Sequence, residues 1–360
     1  MKKNIDIEAL RAYAVLITIV AHLGELIPGW TKSLSVFWLG GGVDLFFCIS
    51  GFLICGILLD QLGDNFKVVA KKFWIKRAFR LMPASIFWGG FSLACAFYFN
   101  DAIFGPVQYS VINAIYSLFF SENAYIVGCF YYQLTECAPS ANYWIYWSLS
   151  LEEQFYMLFP FLLFFIRLRY LLIVLAAVAT YQLFSVRPWG TPLWFFRTDA
   201  IILGVLLAVV RRSIRFEEIR LFAKSESVRL ITVFLLFMGL WWVARRDWFP
   251  LFHSYVVLVA FALVLIASFN KNYIVKSSLG QRLASYLGAR SYSMYLVHVI
   301  AFFLTRELFA SIGVTGELSG QLTILMLIVA AAVLALLVEF SYRLIERPCR
   351  LFGRKLAVIS

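Results

Sequence analysis

The chain has 360 residues, of which 62% are hydrophobic and 14% charged, with a formal net charge of +12. Soluble domains are about one quarter charged, so this chain cannot keep its surface wetted unaided and needs lipid around it. The positive charge sits in a few short segments rather than across a face with interleaved aromatics, which points to anionic lipid or an anionic cofactor more than to nucleic acid.

Crossing the hydrocarbon takes about 20 apolar residues in a helix. Such runs fall near 8–28, 39–62, 83–100, 146–166, 171–186, 193–210, 229–243, 250–269, 287–308 and 321–345. They predict an all-α, polytopic membrane protein of about ten transmembrane helices. Asp6 and Glu8 dilute the N-terminal charge and no small-residue cleavage site follows the first run, so that run reads as a retained helix, not a signal peptide. With the N-terminus inside, the inner segments hold 25 Lys and Arg against five in the outer ones, a bias that makes both termini cytoplasmic in a multi-pass inner (cytoplasmic) membrane protein. The stretch from Asp101 to Tyr143 has no Lys or Arg and carries Asp101, Glu122 and Glu136, as a translocated loop would; a re-entrant piece is expected around Val111 to Phe120. No internal repeat is present, so residues 1–360 read as one domain.

Ionisable side chains near a bilayer centre cost about 2.5–3.5 kcal/mol each on insertion scales and mark candidate sites. In the first run Arg11 and His22 are eleven residues apart, which puts them on one helix face and about 16 Å apart along the axis. Arg11 alone could be a snorkelling anchor, and His22 alone a packed, hydrogen-bonded histidine. Glu25, three residues on, is placed to orient the imidazole, and a neutral histidine backed by a carboxylate suits a general base. The second run opens Gly40-Gly41-Gly42-Val43-Asp44, where the glycines allow close backbone approach and Asp44 needs a cationic or hydroxyl partner unless it only caps the helix. Ser50 and Gly51 read as tight helix packing.

The basic stretch Lys71 to Arg80 suits an amphipathic helix lying on anionic lipid; Arg77 and Arg80, at i and i+3, would equally suit the phosphates of a nucleotide-like cofactor. The fourth run opens Trp147-Ser148-Leu149-Ser150-Leu151-Glu152-Glu153. Helix-dipole stabilisation of about 0.3–1 kcal/mol per acid is too little to account for two carboxylates there, so a buried polar cluster at the outer side is expected. Arg197 and Asp199 enter the sixth run as a charged pair, and His298 lies mid-run in the ninth beside Ser291, Tyr292 and Tyr295. His253 carries no catalytic signal. The six cysteines have no metal-ligand spacing, and no metal is expected; Cys48, Cys55, Cys95 and Cys349 read as inert core, while Cys129 and Cys137 lie in the outer loop, where a disulfide is open to them.

Together these residues resemble the acyltransferase-3 family of integral membrane acyltransferases. The resemblance is carried by Arg11 with His22, Phe46-Phe47-Cys48-Ile49-Ser50-Gly51, Arg77 with Arg80, Trp147 through Tyr156, Arg197-Thr198-Asp199 with Gly204, Ser291-Tyr292 through His298, and Glu346-Arg347-Pro348, in order along the chain. It implies transfer of an acyl group, most often acetyl from cytoplasmic acetyl-CoA, to a hydroxyl of an envelope or exported glycan, such as a lipopolysaccharide or exopolysaccharide. It further implies His22 as the base, Arg11 in the cofactor channel, Arg77 and Arg80 on the CoA phosphates, and Asp44, Ser148, Glu152 and Glu153 on the acceptor side. Glu25, Arg197, Asp199, Tyr292, His298, Glu346 and Arg347 are left as supporting polar residues. Some family members carry a fused extracytoplasmic esterase-like domain, and this sequence is read without one. Membrane lipid, acyl-CoA and a glycan are the partners implied; the oligomeric state is open, as is an acyl-His22 intermediate. The rival class is a transporter or flippase of a lipid-linked glycan, against which stands the lack of inverted repeats and paired interrupted segments. A catalytically dead scaffold of the same fold is disfavoured by the intact Arg11 and His22. Tyr143 and Trp144 are candidate stacking platforms for the glycan.

Overall fold

The computed structural model describes residues 4–27, 30, 40–99, 103–134, 137–213, 222, 225–242, 250–314 and 320–359. Lys2, Lys3, Lys32, Asp101, Glu136, Arg215, Arg220, Lys224, Arg245 and Arg246, all used in the charge reading, lie outside these residues. Among the described residues the protein is all-helical, as lipid requires of a chain that must satisfy its backbone internally. The main helices are α1 (Ile5–Ala21), α2 (Gly41–Leu59), α3 (Phe66–Phe99), α4 (Val107–Leu118), α5 (Glu122–Phe130), α6 (Tyr146–Phe165) and α7 (Leu168–Leu183). They continue with α8 (Asp199–Ser213), α9 (Glu226–Trp242), α10 (Phe252–Ser268), α11 (Ser278–Ser311), α12 (Gly320–Phe340) and α13 (Arg347–Ile359).

Six helical segments among the described residues are long and apolar enough to cross a membrane: Ile5–Glu25, Gly41–Leu59, Phe66–Phe99, Pro192–Ser213, Ser278–Ser311 and Gly320–Val358. Helices α7 and α10 are apolar but shorter. The chain is thus a multi-pass membrane protein. Helices α3 and α11 have 34 residues each, about 51 Å of helix against a hydrocarbon core of about 30 Å, so both project beyond the bilayer. The basic stretch Lys71 to Arg80 is therefore not a separate helix resting on lipid. It is the first half of α3, and its arginines are carried by the same rigid rod that spans the membrane.

Glycines set the helix spacing at the centre. A Cβ at Gly51 would lie 2.0 Å from the Ile201 carbonyl oxygen, and one at Gly204 would lie 2.1 Å from that of Cys48. Helices α2 and α8 consequently meet backbone to backbone, the small-residue mode of packing inside a membrane. Helix α1 lies against α2, α10 and α11. At its start buried Asp6 accepts hydrogen bonds from the backbone N–H groups of Tyr273 (2.9 Å) and Ile274 (3.0 Å), closing the turn that leads into α11.

Between α3 and α6 the chain folds on itself rather than trailing. Helix α4 covers most of the stretch where a re-entrant piece is expected, α5 follows it, and Asn113 ties α4 to the strap before α6 through Ala138 and Ser140, each at 3.1 Å. Cys129 and Cys137 are joined as a disulfide, with Cα atoms 5.3 Å apart. Beyond α12 the helix opens into a π segment, Ser341–Glu346. It brings Ser341 to the Trp88 indole N–H (3.0 Å) and Glu346 to the Ser293 hydroxyl (2.9 Å) before α13 continues along α3. Such local widening re-aims side chains at the cost of regular pairing.

Candidate active site

Two adjoining cavities organise the polar residues. The larger, about 930 Å³, is lined by Glu8, Arg11, Asp64, Lys72, Lys76, Arg77, Arg80, Arg350 and Arg354 among others. The smaller, about 90 Å³, shares Arg11, Arg77 and Arg80 and continues past Ser50, Glu152 and Tyr156 to Ser148, Tyr292 and Tyr295. Arg11 stands at the junction, 3.6 Å from Glu8, with little of its side chain exposed. It does not snorkel. The Arg77 guanidinium lies 5.1 Å above the Tyr156 ring, a placement that holds the cation without consuming its donors.

The acids of α6 divide as their spacing of about 100° requires. Glu152 faces the small cavity, where it accepts hydrogen bonds from Ser50 and Tyr156, both at 2.9 Å. Glu153 is buried on another face, its Oε1 without a hydrogen-bond partner among the described residues. The expected buried polar cluster forms around Glu152, which shares its cavity with Arg11, Arg77 and Arg80, while Glu153 stands apart from it. Ser50, read from sequence as packing, belongs to this polar set, whereas Gly51 is packing as expected. What divides the two is the α2 face each occupies, a property of the helix neighbours and not of either residue.

In the lining of the small cavity the Ser148 hydroxyl is 2.5 Å from the Tyr295 hydroxyl, and Tyr295 also donates to the Ile145 carbonyl at 3.1 Å. Tyr295 leads to the histidines, its ring 5.9 Å from that of His298. His298 is fully buried and its ring packs edge-on against His22, the centroids 4.9 Å apart. The two rings are held alike. His22 Nδ1 is 2.8 Å from the Thr18 carbonyl and His298 Nδ1 is 2.7 Å from the Tyr295 carbonyl. A carbonyl only accepts, so each Nδ1 carries the proton and each Nε2 is left with a lone pair. The Nε2 of His298 has no hydrogen-bond partner among the described residues. The orienting role assigned to Glu25 falls instead to the Thr18 carbonyl, because α1 ends at Ala21 and a short 3₁₀ turn displaces Glu25 from the helical face assumed for it.

Arg197 and Asp199 do not pair with each other. Arg197 binds both oxygens of Asp44, at 2.8 and 3.3 Å, and is flanked by the rings of Trp147 (4.7 Å) and Trp194 (5.4 Å). Asp199 binds Arg187 at 2.6 Å, with both side chains fully buried. Residues two apart at a helix entry point to different neighbours, which sequence separation alone does not reveal. Arg187, one of the five outer cations of the charge count, carries no local signal of its partner. Asp44 thus serves a buried clamp between α2 and the entry to α8. Tyr292 lines the small cavity while donating to the Leu81 carbonyl at 2.7 Å. Glu346 is buried against Ser293, but Arg347 is exposed, so Arg350 and Arg354, one and two turns further on, are the cavity arginines of that segment. His253 is packed between Trp194 and Phe252. Tyr143 is fully buried with its hydroxyl on the Gly89 carbonyl (2.8 Å), which removes it as a stacking platform; Trp144 stacks on Trp189 with centroids 5.7 Å apart.

The site is thus a basic cavity adjoining a smaller polar one, with Tyr295 of the smaller lying next to a pair of histidines inside a helical membrane protein. The acyltransferase-3 profile, described as an acyltransferase domain, matches residues 4–341, and the chain belongs to that family. It is similar to the O-acetyltransferase OatA of Staphylococcus aureus, 26% identical over 373 residues that cover 97% of this chain and 57% of that protein. It is also similar to the "Putative peptidoglycan O-acetyltransferase YrhL" of Bacillus subtilis, 27% identical over 371 residues covering 96% and 55%. The chain therefore spans less than two thirds of the length of these relatives. No solved structure matches it.

Proposed function

We propose that the chain is a membrane O-acyltransferase that moves an acetyl group from cytoplasmic acetyl-CoA to a hydroxyl of a cell-envelope glycan. The observation that carries this reading is the continuity of the site: a cation-lined cavity of about 930 Å³ shares Arg11, Arg77 and Arg80 with one of about 90 Å³, and Tyr295 in the lining of the smaller has its ring 5.9 Å from that of His298, which packs on His22. The wide part suits a nucleotide bearing phosphates, the narrow part a thin acyl-carrying arm, and the cations favour a polyanion at the entrance. In this reading α6, α7, α9 and α10 cross the membrane with the six longer segments, giving ten spans with both termini cytoplasmic, and residues 1–360 act as one transmembrane unit in the cell membrane. The relatives' names favour acetyl as the acyl group and a wall glycan as the acceptor.

The chemistry follows from the tautomers. His22 Nε2 takes the proton of the acceptor hydroxyl as that oxygen attacks the thioester carbonyl; the tetrahedral adduct collapses, the C–S bond breaks, and the leaving CoA thiolate takes that proton back from the His22 imidazolium, which restores the neutral base. The Thr18 carbonyl keeps Nδ1 protonated throughout, so that only Nε2 accepts a proton. Glu152, through Ser50 and Tyr156, fixes the floor on which Arg77 rests.

The test is transfer of labelled acetyl from acetyl-CoA to membrane glycan in vesicles carrying the native chain or His22→Ala at equal expression. Transfer by the native chain that disappears with His22→Ala is the expected result. Transfer that survives the substitution removes His22 as the base, and the absence of transfer by the native chain removes the activity.

A further inference from the structure

The cations of the large cavity form two tiers. Arg77 and Arg80 line both cavities and so stand at the throat between them, whereas Lys72, Lys76, Arg350 and Arg354 line only the large one. Glu8 and Asp64 are the acids facing this cavity among its described lining. Arg350 and Arg354 belong to α13, which lies beyond the matched family region ending at residue 341. The helix is nonetheless firmly seated. A Cβ at Gly353 would lie 2.4 Å from the Phe79 Cβ, and the rings of Phe79 and Phe352 are 5.3 Å apart. Arg350 is aligned by Glu346 at 3.9 Å, itself held by Ser293, and its Nε is buried with no hydrogen-bond partner among the described residues. The Nε of Arg80 is in the same condition.

An acyl-CoA has two separate anionic groups. The arm that bears the acyl group leaves from the diphosphate, and a phosphomonoester sits on the ribose, on the far side of that diphosphate. With the arm in the narrow cavity, the diphosphate falls at the throat and the phosphomonoester falls in the outer tier. We infer that Arg350 and Arg354 of α13 bind the ribose phosphomonoester of the donor, so that the chain selects the 3′-phosphorylated donor. A planar guanidinium matches two phosphate oxygens at once, and two arginines one turn apart on a helix present a shared face to one such group. This inference rests on the acyl-CoA reading above.

The experiment uses the full chain in vesicles and measures labelled acetyl transfer from acetyl-CoA and from 3′-dephospho-acetyl-CoA. The native chain is expected to show a KM at least about tenfold higher for the dephospho donor, the loss of a charge-assisted contact. Arg350→Gln with Arg354→Gln raises the acetyl-CoA KM to the level of the dephospho donor and leaves the dephospho KM and both kcat values unchanged. Arg350→Lys with Arg354→Lys, which keeps the charge and loses the fork, gives an intermediate KM. Lys355→Gln, a charge removed from α13 outside the cavity lining, alters neither donor. Equal KM values for the two donors in the native chain overturn the inference, and this comparison needs no variant to fold. An equal rise in both KM values for the double Gln variant also overturns it, assigning the arginines to packing or to the general field. If the native chain transfers acetyl from neither donor, the acyl-CoA reading itself fails and takes the inference with it.

Discussion

The rings of His22 and His298 pack edge-on with centroids 4.9 Å apart, each donating its Nδ1–H to a backbone carbonyl within its own helical region. The Nε2 of His298 has no hydrogen-bond partner among the described residues, and in the proposed reaction the imidazolium would form at the neighbouring ring of His22. We predict that His298 is a positioning residue. His298→Ala should lower kcat by about 10- to 100-fold, the value of one hydrogen bond to a charged group, while the donor KM stays unchanged. His22→Ala should lose more, about 10²- to 10⁴-fold. Steady-state kinetics in vesicles separates the two. An unchanged kcat for His298→Ala, or a fall confined to donor KM, would show that His298 serves packing alone.

The Asp44–Arg197 clamp predicts a pattern in stability. Arg197→Leu strands a fully buried carboxylate and should cost about 3–5 kcal/mol, whereas the double change Asp44→Leu with Arg197→Leu removes both charges and should recover most of that loss. Thermal unfolding of the purified protein in detergent measures this. If the double variant is stable yet inactive, Asp44 or Arg197 also has a part in the reaction; if it is no more stable than Arg197→Leu, the clamp is not what held the fold.

Gly51 and Gly56 lie on the same helix and should respond with opposite sign. At Gly51 an added methyl would meet the Ile201 backbone, so Gly51→Ala should destabilise by about 1–3 kcal/mol. Nothing lies within 4 Å of a Cβ at Gly56, so Gly56→Ala should stabilise α2 by up to about 1 kcal/mol through helix propensity. The same unfolding assay compares them, and a matching sign for both would refute the backbone-contact account of the α2–α8 crossing.

Glu122 of α5 is buried, and burial pushes its carboxyl well above the ordinary value of 4.5, partly countered by the Ser117 hydroxyl at 3.2 Å. A carboxyl with a raised folded pKa binds its proton more tightly when folded. Its contribution to stability is therefore complete below the unfolded pKa and is lost as pH rises through the folded one. Glu122→Gln, which keeps the shape without the titration, should flatten the decline in stability above about pH 4.5. Equal pH dependence in the native chain and the variant would mean that the group is not held neutral.

Much of this protein was legible from residue type and spacing. Apolar runs of helical length determined an all-helical membrane fold, because lipid leaves the backbone few alternatives. Arg11 and His22 were recognisable because charge is costly in hydrocarbon, and Arg77 with Arg80 because i, i+3 spacing fixes a shared helix face. Residue pairing was not legible. Arg197 with Asp44 is a contact across 153 positions, Arg187 with Asp199 crosses a loop, and Ser50 with Glu152 joins two helices. The approach of α2 to α8 through Gly51 and Gly204 decides which face of each helix meets the others, and local sequence holds no record of that choice. The replacement of Glu25 by the Thr18 carbonyl has the same origin, since α1 stops one residue before His22. Sequence alone determined that this chain spans a membrane and buries costly polar groups; only the tertiary structure decided which of those groups neutralise one another and which are left facing a cavity, because that depends on helix rotation and crossing.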